Sequence, residues 1–321
     1  MPSGVAVPKA VDEVRITLVM DNLTDLTQHD TDVAKRLHYG TDPFTPSDRP
    51  PVLIAEHGFS AFVLARRGSE QGNVLFDSGI SVDGVMHNLD VMQIGVDTFS
   101  AIVLSHGHAD HANGLIGIGR RTGRKGLPLL LHPDSFLHRK LILPTGIEVK
   151  MPSPSRTSIQ DNNIEVIEET GPSFLLDETM LVSGEVPRES SFETGLPYHY
   201  AERNGAWEPD PQVNDDQCIV LNVRGRGLVI LTGCGHAGII NTIRNAQELT
   251  EEKKVYAVIG GFHLGGKYFE NIIPQTVAEL KKINPKYIIP AHCTGWNAKF
   301  QIAKAMPESF VEGSVGTTLV L

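Results

Sequence analysis

Short runs of β-branched residues and leucine recur along this chain, each stopped by Gly, Asp or Pro: VRITLVM (14–20), SAFVLA (60–65), NVLFDSG (73–79), AIVLSHG (101–107) and LPLLLHP (127–133). Runs of this kind predict buried strands. IEVIEE, TMLVSGEV, QCIVLNV, GLVILTG, VYAVIGG and KYIIPAH continue the series to the end of the chain. Helical spacing shows in GVMHNLDVMQI, in GIINTIRNAQELTEEKK, and in FENIIPQTVAELKKI before the Asn284-Pro285 stop. From about residue 226 strands and helices alternate, whereas residues 127–225 are strand-rich with few helix signals. The expected fold is α/β, with two mixed sheets packed together and helices outside. We expect one domain over residues 1–321, with long active-site loops at about 21–51 and 185–216. Their polar stretches are too long for tight turns, and such loops are commonly lids or substrate contacts.

Composition narrows the function. With 28 Lys plus Arg against 38 Asp plus Glu, the net charge of -10 gives no footprint for nucleic acid or an anionic membrane. A small-molecule substrate is the expected partner, and self-association stays open. Three cysteines, Cys218, Cys234 and Cys293, are too few and scattered for a disulfide framework. They fit a reducing compartment. The N-terminal stretch lacks a signal-peptide pattern and no run reaches the roughly 20 apolar residues of a membrane span, so the cytoplasm is the expected location.

The chemistry concentrates in SHGHADH, where the apolar strand AIVL ends and a Gly-containing turn leads toward a helix. His106 and His108, two residues apart, point to one side of an extended backbone. Asp110 and His111 follow closely enough to hold a neighbouring ion. Imidazoles with a carboxylate and no thiolate pair form the donor set of a catalytic zinc, manganese or iron site rather than a closed structural zinc. Rival signatures are missing: there is no G-x-S-x-G elbow, no phosphate-binding G-x-x-x-x-G-K-[ST] loop, and no strand-G-x-G-x-x-G-helix unit.

His106 to His111 resembles the signature of the metallo-β-lactamase superfamily. Within it, AEHGFSAFV, LFDSG, SGEVPR, LTGCGHAGIINTI, VIGGFHLGG and IIPAHCTG are similar to the 7,8-dihydropterin-6-yl-methyl-4-(β-D-ribofuranosyl)aminobenzene 5'-phosphate synthase-like branch. The resemblance spans nearly the whole chain. It implies an αββα sandwich with a one- or two-metal site at one edge, Zn2+ being the expected ion and Mn2+ or Fe2+ the alternatives. His292 in PAHCTG matches the last histidine, which joins Asp110 and His111 on the second ion. Cys234 stands where members carry a bridging Asp or a metal-binding Cys; as a bare residue it is equally a small buried thiol. The histidine that usually precedes the strand corresponding to QCIVLNV is absent, the place reading PQVNDDQ, so the resemblance leaves His236 as the substitute third imidazole. His263, between glycines, becomes a substrate-contacting acid/base or a further ligand. His57 becomes a substrate contact, while His132 is expected to be structural. Asp77 in FDSG is implied as an outer-shell acceptor for a ligand histidine, though it also suits a turn cap. Arg188 in EVPR is a candidate anion contact or a solvated surface residue.

The implied reaction is hydrolysis. A cation held by imidazoles lowers the pKa of its water from about 15.7 to about 7, and the resulting hydroxide attacks a phosphoester, phosphotriester or lactone. Asp110 would orient that water and His263 would protonate the leaving group. Two alternatives stay open: a transferase joining a dihydropterin to a ribofuranosyl-aminobenzene phosphate, and a metal-binding regulator without catalysis. A two-iron reductase on this scaffold would need a flavin domain, for which 321 residues leave no room.

Overall fold

The uninterrupted apolar runs become strands covered on both faces. The computed structural model describes residues 5–37 and 52–321, so the 38–51 part of the first expected loop lies outside the described residues. One eight-stranded sheet runs in the order Ala34–Lys35, Thr318–Val320, Glu13–Met20, Ser60–Arg67, Glu70–Phe76, Ala101–Val103, Leu127–Leu131, Ile164–Glu168. A six-stranded sheet follows the order Ser173–Leu175, Met180–Val182, Cys218–Val223, Gly227–Thr232, Val255–Gly261, Tyr287–Ala291. Both are mixed, antiparallel on one side and parallel on the other.

Period-two alternation sorts each strand between two layers. In Gly227–Thr232, Val229 and Leu231 enter a core shared with Val63, Val74 and Phe76 of the facing sheet. Leu228 and Ile230 point the other way, onto Ile243, Leu280 and Ile302 from the helices Ile239–Thr250, Ile273–Ile283 and Trp296–Ala305. The outer face of the eight-stranded sheet is covered likewise, Leu75, Ile102 and Leu129 packing on Leu89, Leu115 and Ile159 from three shorter helices. The result is the expected helix–sheet–sheet–helix sandwich. Among the described residues no helix is long and apolar enough to cross a membrane.

The layering fixes where chemistry can happen. Gly227–Thr232, Val255–Gly261 and Tyr287–Ala291 are parallel neighbours, so their C-terminal ends share an edge. Glu70–Phe76 and Ala101–Val103, also parallel, end at that same edge in the other sheet. The segments 233–236, 262–264, 292–294, 77–79 and 104–111 therefore converge.

Two features departed from the sequence pattern. A third sheet, in the order Ala206–Pro209, His199–Arg203, Arg139–Ile142, Glu148–Met151, grows out of the strand-rich middle. Its strands are half-exposed and polar, so they lack the apolar runs that mark the others. The second is the glycine content of the helix Leu115–Arg121, LIGIGRR, which follows the expected turn out of SHGHADH. Propensity argues against a helix there, but tertiary contact requires those glycines: a Cβ at Gly117 would stand 1.9 Å from the Val82 carbonyl oxygen, and one at Gly119 2.2 Å from that of Asn162.

Gly117→Ala thus sets a propensity gain of up to ~1 kcal/mol against a clash of about 1–3 kcal/mol. We expect the clash to win, lowering the urea midpoint without changing the transition slope.

Candidate metal centre

The segment following Val103 leaves the sheet extended and starts the helix Ala109–Ala112 with His108 as its cap, so His106 and His108 project inward together. Their ring centroids lie 4.5 Å apart and that of His236 is 4.7 Å from His106. His236 Nε2 sits 3.2 Å from His106 Nε2 and 3.1 Å from His108 Nδ1. All three rings are buried. Burial, reinforced by neighbouring histidines or Arg139, pushes each well below the ordinary imidazole range, so the rings are neutral.

The far nitrogens decide which way the lone pairs point. Ser105 Oγ donates to Asp77 Oδ2 at 2.7 Å, so its lone pair accepts the proton on His106 Nδ1 at 2.9 Å. His199 Nδ1 donates to the Asp210 carbonyl at 2.8 Å, leaving its Nε2 to accept from His108 Nε2 at 3.2 Å. His106 therefore offers Nε2 and His108 offers Nδ1 to a common point shared with His236 Nε2. Neutral nitrogens packed this way repel unless a cation lies among them. The triad fits a divalent metal ion on that ground.

A second group adjoins it. Asp110, His111, Cys234 and His292 place one donor each within 4.8 Å of one another. Asp110 Oδ2 is 3.3 Å from His292 Nε2 and 3.7 Å from His111 Nε2, while Cys234 Sγ is 3.2 Å from His111 Nε2. Again the outer nitrogens are anchored. His111 Nδ1 donates to Asp77 Oδ2 at 2.6 Å, and His292 Nδ1 to Asn22 Oδ1 at 3.0 Å. Burial works against ionising Asp110, but His111 and His292 outweigh it and hold its carboxyl well below the usual range. Burial likewise opposes charge on His111, yet the Asp110 and Asp77 carboxylates overcome it and raise this imidazole to about 9. The Cys234 thiol is pushed well above its ordinary value by burial, so a cation is what would make it a thiolate.

The sequence-identified donors His106, His108, Asp110, His111, Cys234, His236 and His292 thus meet at one edge. His236 stands where the third imidazole was sought. His263 also arrives, its ring centroid 4.3 Å from that of His236, and it groups with Cys234 and His236. His263 and His292 both take left-handed backbone, with φ of 45° and 46°, a costly conformation for such residues that turns their rings inward. Asp77 is the outer acceptor expected of it, since its Oδ1 takes the Ser105 amide at 2.7 Å while Oδ2 serves Ser105 Oγ and His111. His57 stands exposed at the rim, with Nε2 3.7 Å from Asp110 Oδ2. His132 accepts the Asp134 amide and faces Glu185, a structural role. Arg188 is not brought to the donors: its guanidinium donates to the backbone carbonyls of Val186 and Gln212.

Sequence reasoning missed the supports. The PQVNDDQ segment, which lacks a histidine, supplies carboxylates instead. Asp215 accepts the Gly107 amide at 2.8 Å and two hydrogen bonds from Arg139, at 2.5 and 3.1 Å. Asp216, pushed up to about 6 by burial, accepts the Ala237 amide at 2.8 Å. These adjacent acids hold the two loops that carry the imidazole triad. Asp21 does the same for the second group, accepting the His292 amide at 2.7 Å. The one sequence signal was the DD pair at the mouth of a strand. His199, in the polar stretch YHY, carried none.

The family model for the Metallo-beta-lactamase superfamily matches residues 57–247. A 7,8-dihydropterin-6-methyl-4-(beta-D-ribofuranosyl)-aminobenzene-5'-phosphate synthase of Methanocaldococcus jannaschii is 29% identical over 269 residues, covering 80% of this chain and 87% of that protein. An uncharacterized protein of the same organism is 32% identical over 267 residues, covering 82% and 93%. Among solved structures, Tm1679, described as a metal-dependent hydrolase of the beta-lactamase superfamily, superposes with a TM-score of 0.69 at 25% identity, covering 95% of this chain and 98% of that one.

Replacing His199 by Ala removes the acceptor that fixes the His108 tautomer. We expect metal affinity to fall about 10–100-fold with the thermal midpoint of the metal-free protein little changed, measured by titration against a competing chelator. The raised pKa of His111 gives a second expectation. A cation there must displace a proton, so apparent affinity should climb as pH rises from 6.5 to about 9 and then level. In the metal-free protein the sign is opposite: the pairing of charged His111 with its carboxylates stabilises fully below 6.5 and is lost as pH rises through about 9. Paired thermal melts across that window check both.

Proposed function

From the premise that the chain belongs to the metallo-beta-lactamase superfamily, whose family model covers more than half of it, we propose that it is a metal-dependent hydrolase of a small ester-type substrate, whether phosphoester, phosphotriester or lactone. The carrying observation is the convergence of neutral imidazole lone pairs beside an ionised, part-exposed carboxylate at the rim of the sandwich. His106, His108 and His236 would hold one divalent ion; Asp110, His111, His292 and Cys234 would hold a second. A thiolate at Cys234 favours Zn2+, with Mn2+ or Fe2+ suiting the nitrogen and oxygen donors. A bound divalent ion supplies acidified water and polarises the carbonyl or phosphoryl oxygen of the substrate.

The protein's own groups complete the reaction. Asp110, kept ionised, accepts the proton of the attacking water and orients it. The water oxygen bonds to the carbon or phosphorus centre while the bond to the leaving oxygen breaks. His263 delivers a proton to that oxygen, and the proton taken by Asp110 passes on to His263, so both groups return to their starting states. His57, exposed 3.7 Å from Asp110, meets the substrate at the rim.

The relative that is 29% identical is named as a synthase, which favours a second reading: formation of that relative's dihydropterin product. The two readings separate experimentally. Elemental analysis should find up to two equivalents of zinc, and a screen of lactones, phosphodiesters and phosphotriesters should show turnover abolished by chelator. A His108→Ala, Asp110→Ala double variant should lose at least about a thousandfold in kcat/KM, the scale on which removing a preorganised catalytic group acts. Hydrolysis that persists in that variant, or product formation from dihydropterin and aminobenzene precursors without any hydrolysis, overturns the proposal.

A further inference from the structure

We propose that the substrate of this centre carries an uncharged apolar group, an acyl chain or aryl ring, seated in a cavity beside the imidazole triad, and that no phosphate occupies that end of the molecule. The inference rests on the hydrolase reading for its reaction but on separate observations for its chemistry. A cavity of about 240 Å³ opens against His236 and His263. Its volume admits a small substituent. Phe192 and Leu196 form one wall, and Phe262, Leu264, Phe269 and Ile272 the other. The Phe269 ring meets His263 edge-on at 4.6 Å, so the apolar lining continues up to the group that would protonate the leaving oxygen.

Charge argues as strongly as shape. Among the described residues, no Lys or Arg lines the cavity. Its one carboxylate, Glu193, is already engaged: Oε1 accepts the Ile240 amide at 2.9 Å, and Oε2 accepts the Asn241 amide at 2.9 Å and the Ser190 hydroxyl at 3.0 Å. The amide groups at the start of the helix Ile239–Thr250, the donors best suited to an anion, are therefore taken by the protein's own acid. Away from its His236–His263 end, a phosphate pushed into this cavity would leave water, meet no Lys or Arg among the described residues, and face Glu193. An apolar group loses nothing polar and gains burial. The remaining polar edges, Thr194, Asn271 and the Tyr268 hydroxyl, suit a neutral hydrogen-bonding atom at the rim.

The test uses the metal-loaded full chain with 4-nitrophenyl acetate, butyrate and hexanoate, the matching benzoate, and 4-nitrophenyl phosphate. Rising kcat/KM along the acyl series, at least tenfold from acetate to hexanoate, is expected, with the benzoate also preferred over acetate; the phosphate monoester reports whether the reacting centre accepts phosphorus. Acyl and aryl arms distinguish the two forms of apolar group. Leu196→Lys, which sets a cation on a half-buried wall, should collapse the hexanoate-to-acetate ratio toward one while metal content, by elemental analysis, stays at the wild-type value. Equilibrium binding of prodan, an uncharged naphthalene fluorophore, supplies a readout independent of turnover, and Leu196→Lys should weaken it at least fivefold. If no ester is hydrolysed yet prodan binds and Leu196→Lys weakens it, the cavity assignment stands and the hydrolase reading falls. If esters are hydrolysed with kcat/KM independent of acyl length, the cavity assignment is wrong.

Discussion

A neutral imidazole has one lone pair, and it can be aimed at a cation only if the proton on its other nitrogen is given an acceptor. Everything at the rim of this sandwich follows from that constraint. His106 gives its proton to Ser105 Oγ, His108 to His199, His111 to Asp77, and His292 to Asn22. Asp77 is the hub. Buried beneath the site, it accepts from Ser105 twice and from His111, so one carboxylate orients an imidazole of each donor group. Without those acceptors the rings could flip to the other tautomer and present N–H groups to the centre, which would exclude a cation outright.

The sandwich makes such an arrangement affordable in conformational terms. Strand ends separated by long stretches of chain share an edge because the parallel strands on both sheets run toward it, and the core behind them is closed by apolar side chains from both faces. The inserted third sheet adds a clamp from outside. It contributes His199 behind His108, and its strand Arg139–Ile142 begins with the arginine that grips Asp215, which in turn holds the Gly107 amide. The loop bearing His106 and His108 is thus fixed from the core through Asp77 and from the insertion through Asp215.

How much of this was legible in the sequence depends on whether the signal was local. The His106–His111 cluster announces itself because four donors within six positions have no better explanation than a metal, and Cys234, His236, His263 and His292 gain meaning from lying just past apolar strands. Those strands were legible because burial on both faces leaves unbroken apolar runs. The supports were not. His199 sits in a half-polar strand of the third sheet, and its partner is 91 residues distant, so neither periodicity nor spacing marks it. Arg188 shows the converse: its guanidinium is bound instead to the carbonyls of Val186 and Gln212, a use of arginine that the sequence does not distinguish from ligand binding. In the helix Leu115–Arg121 the glycines answer to Val82 and Asn162, not to their own neighbours, which propensity does not show.

Folding five imidazoles, a thiol and a carboxylate into one buried rim runs against the hydrophobic effect and against electrostatics, so the site is a place where the structure gives up stability. The left-handed backbone at His263 and His292 adds about 1–3 kcal/mol each in that direction. What offsets this is that a cation binding there finds its donors already aligned and already stripped of water, so little of its binding energy is consumed in ordering them. The proton that His111 holds up to about 9 is the one partial substitute the protein provides for itself. Its single positive charge offsets part of the charge of Asp77 and Asp110 when no cation does so. A site that a proton partly satisfies keeps its donors in place, and a cation entering it displaces that proton.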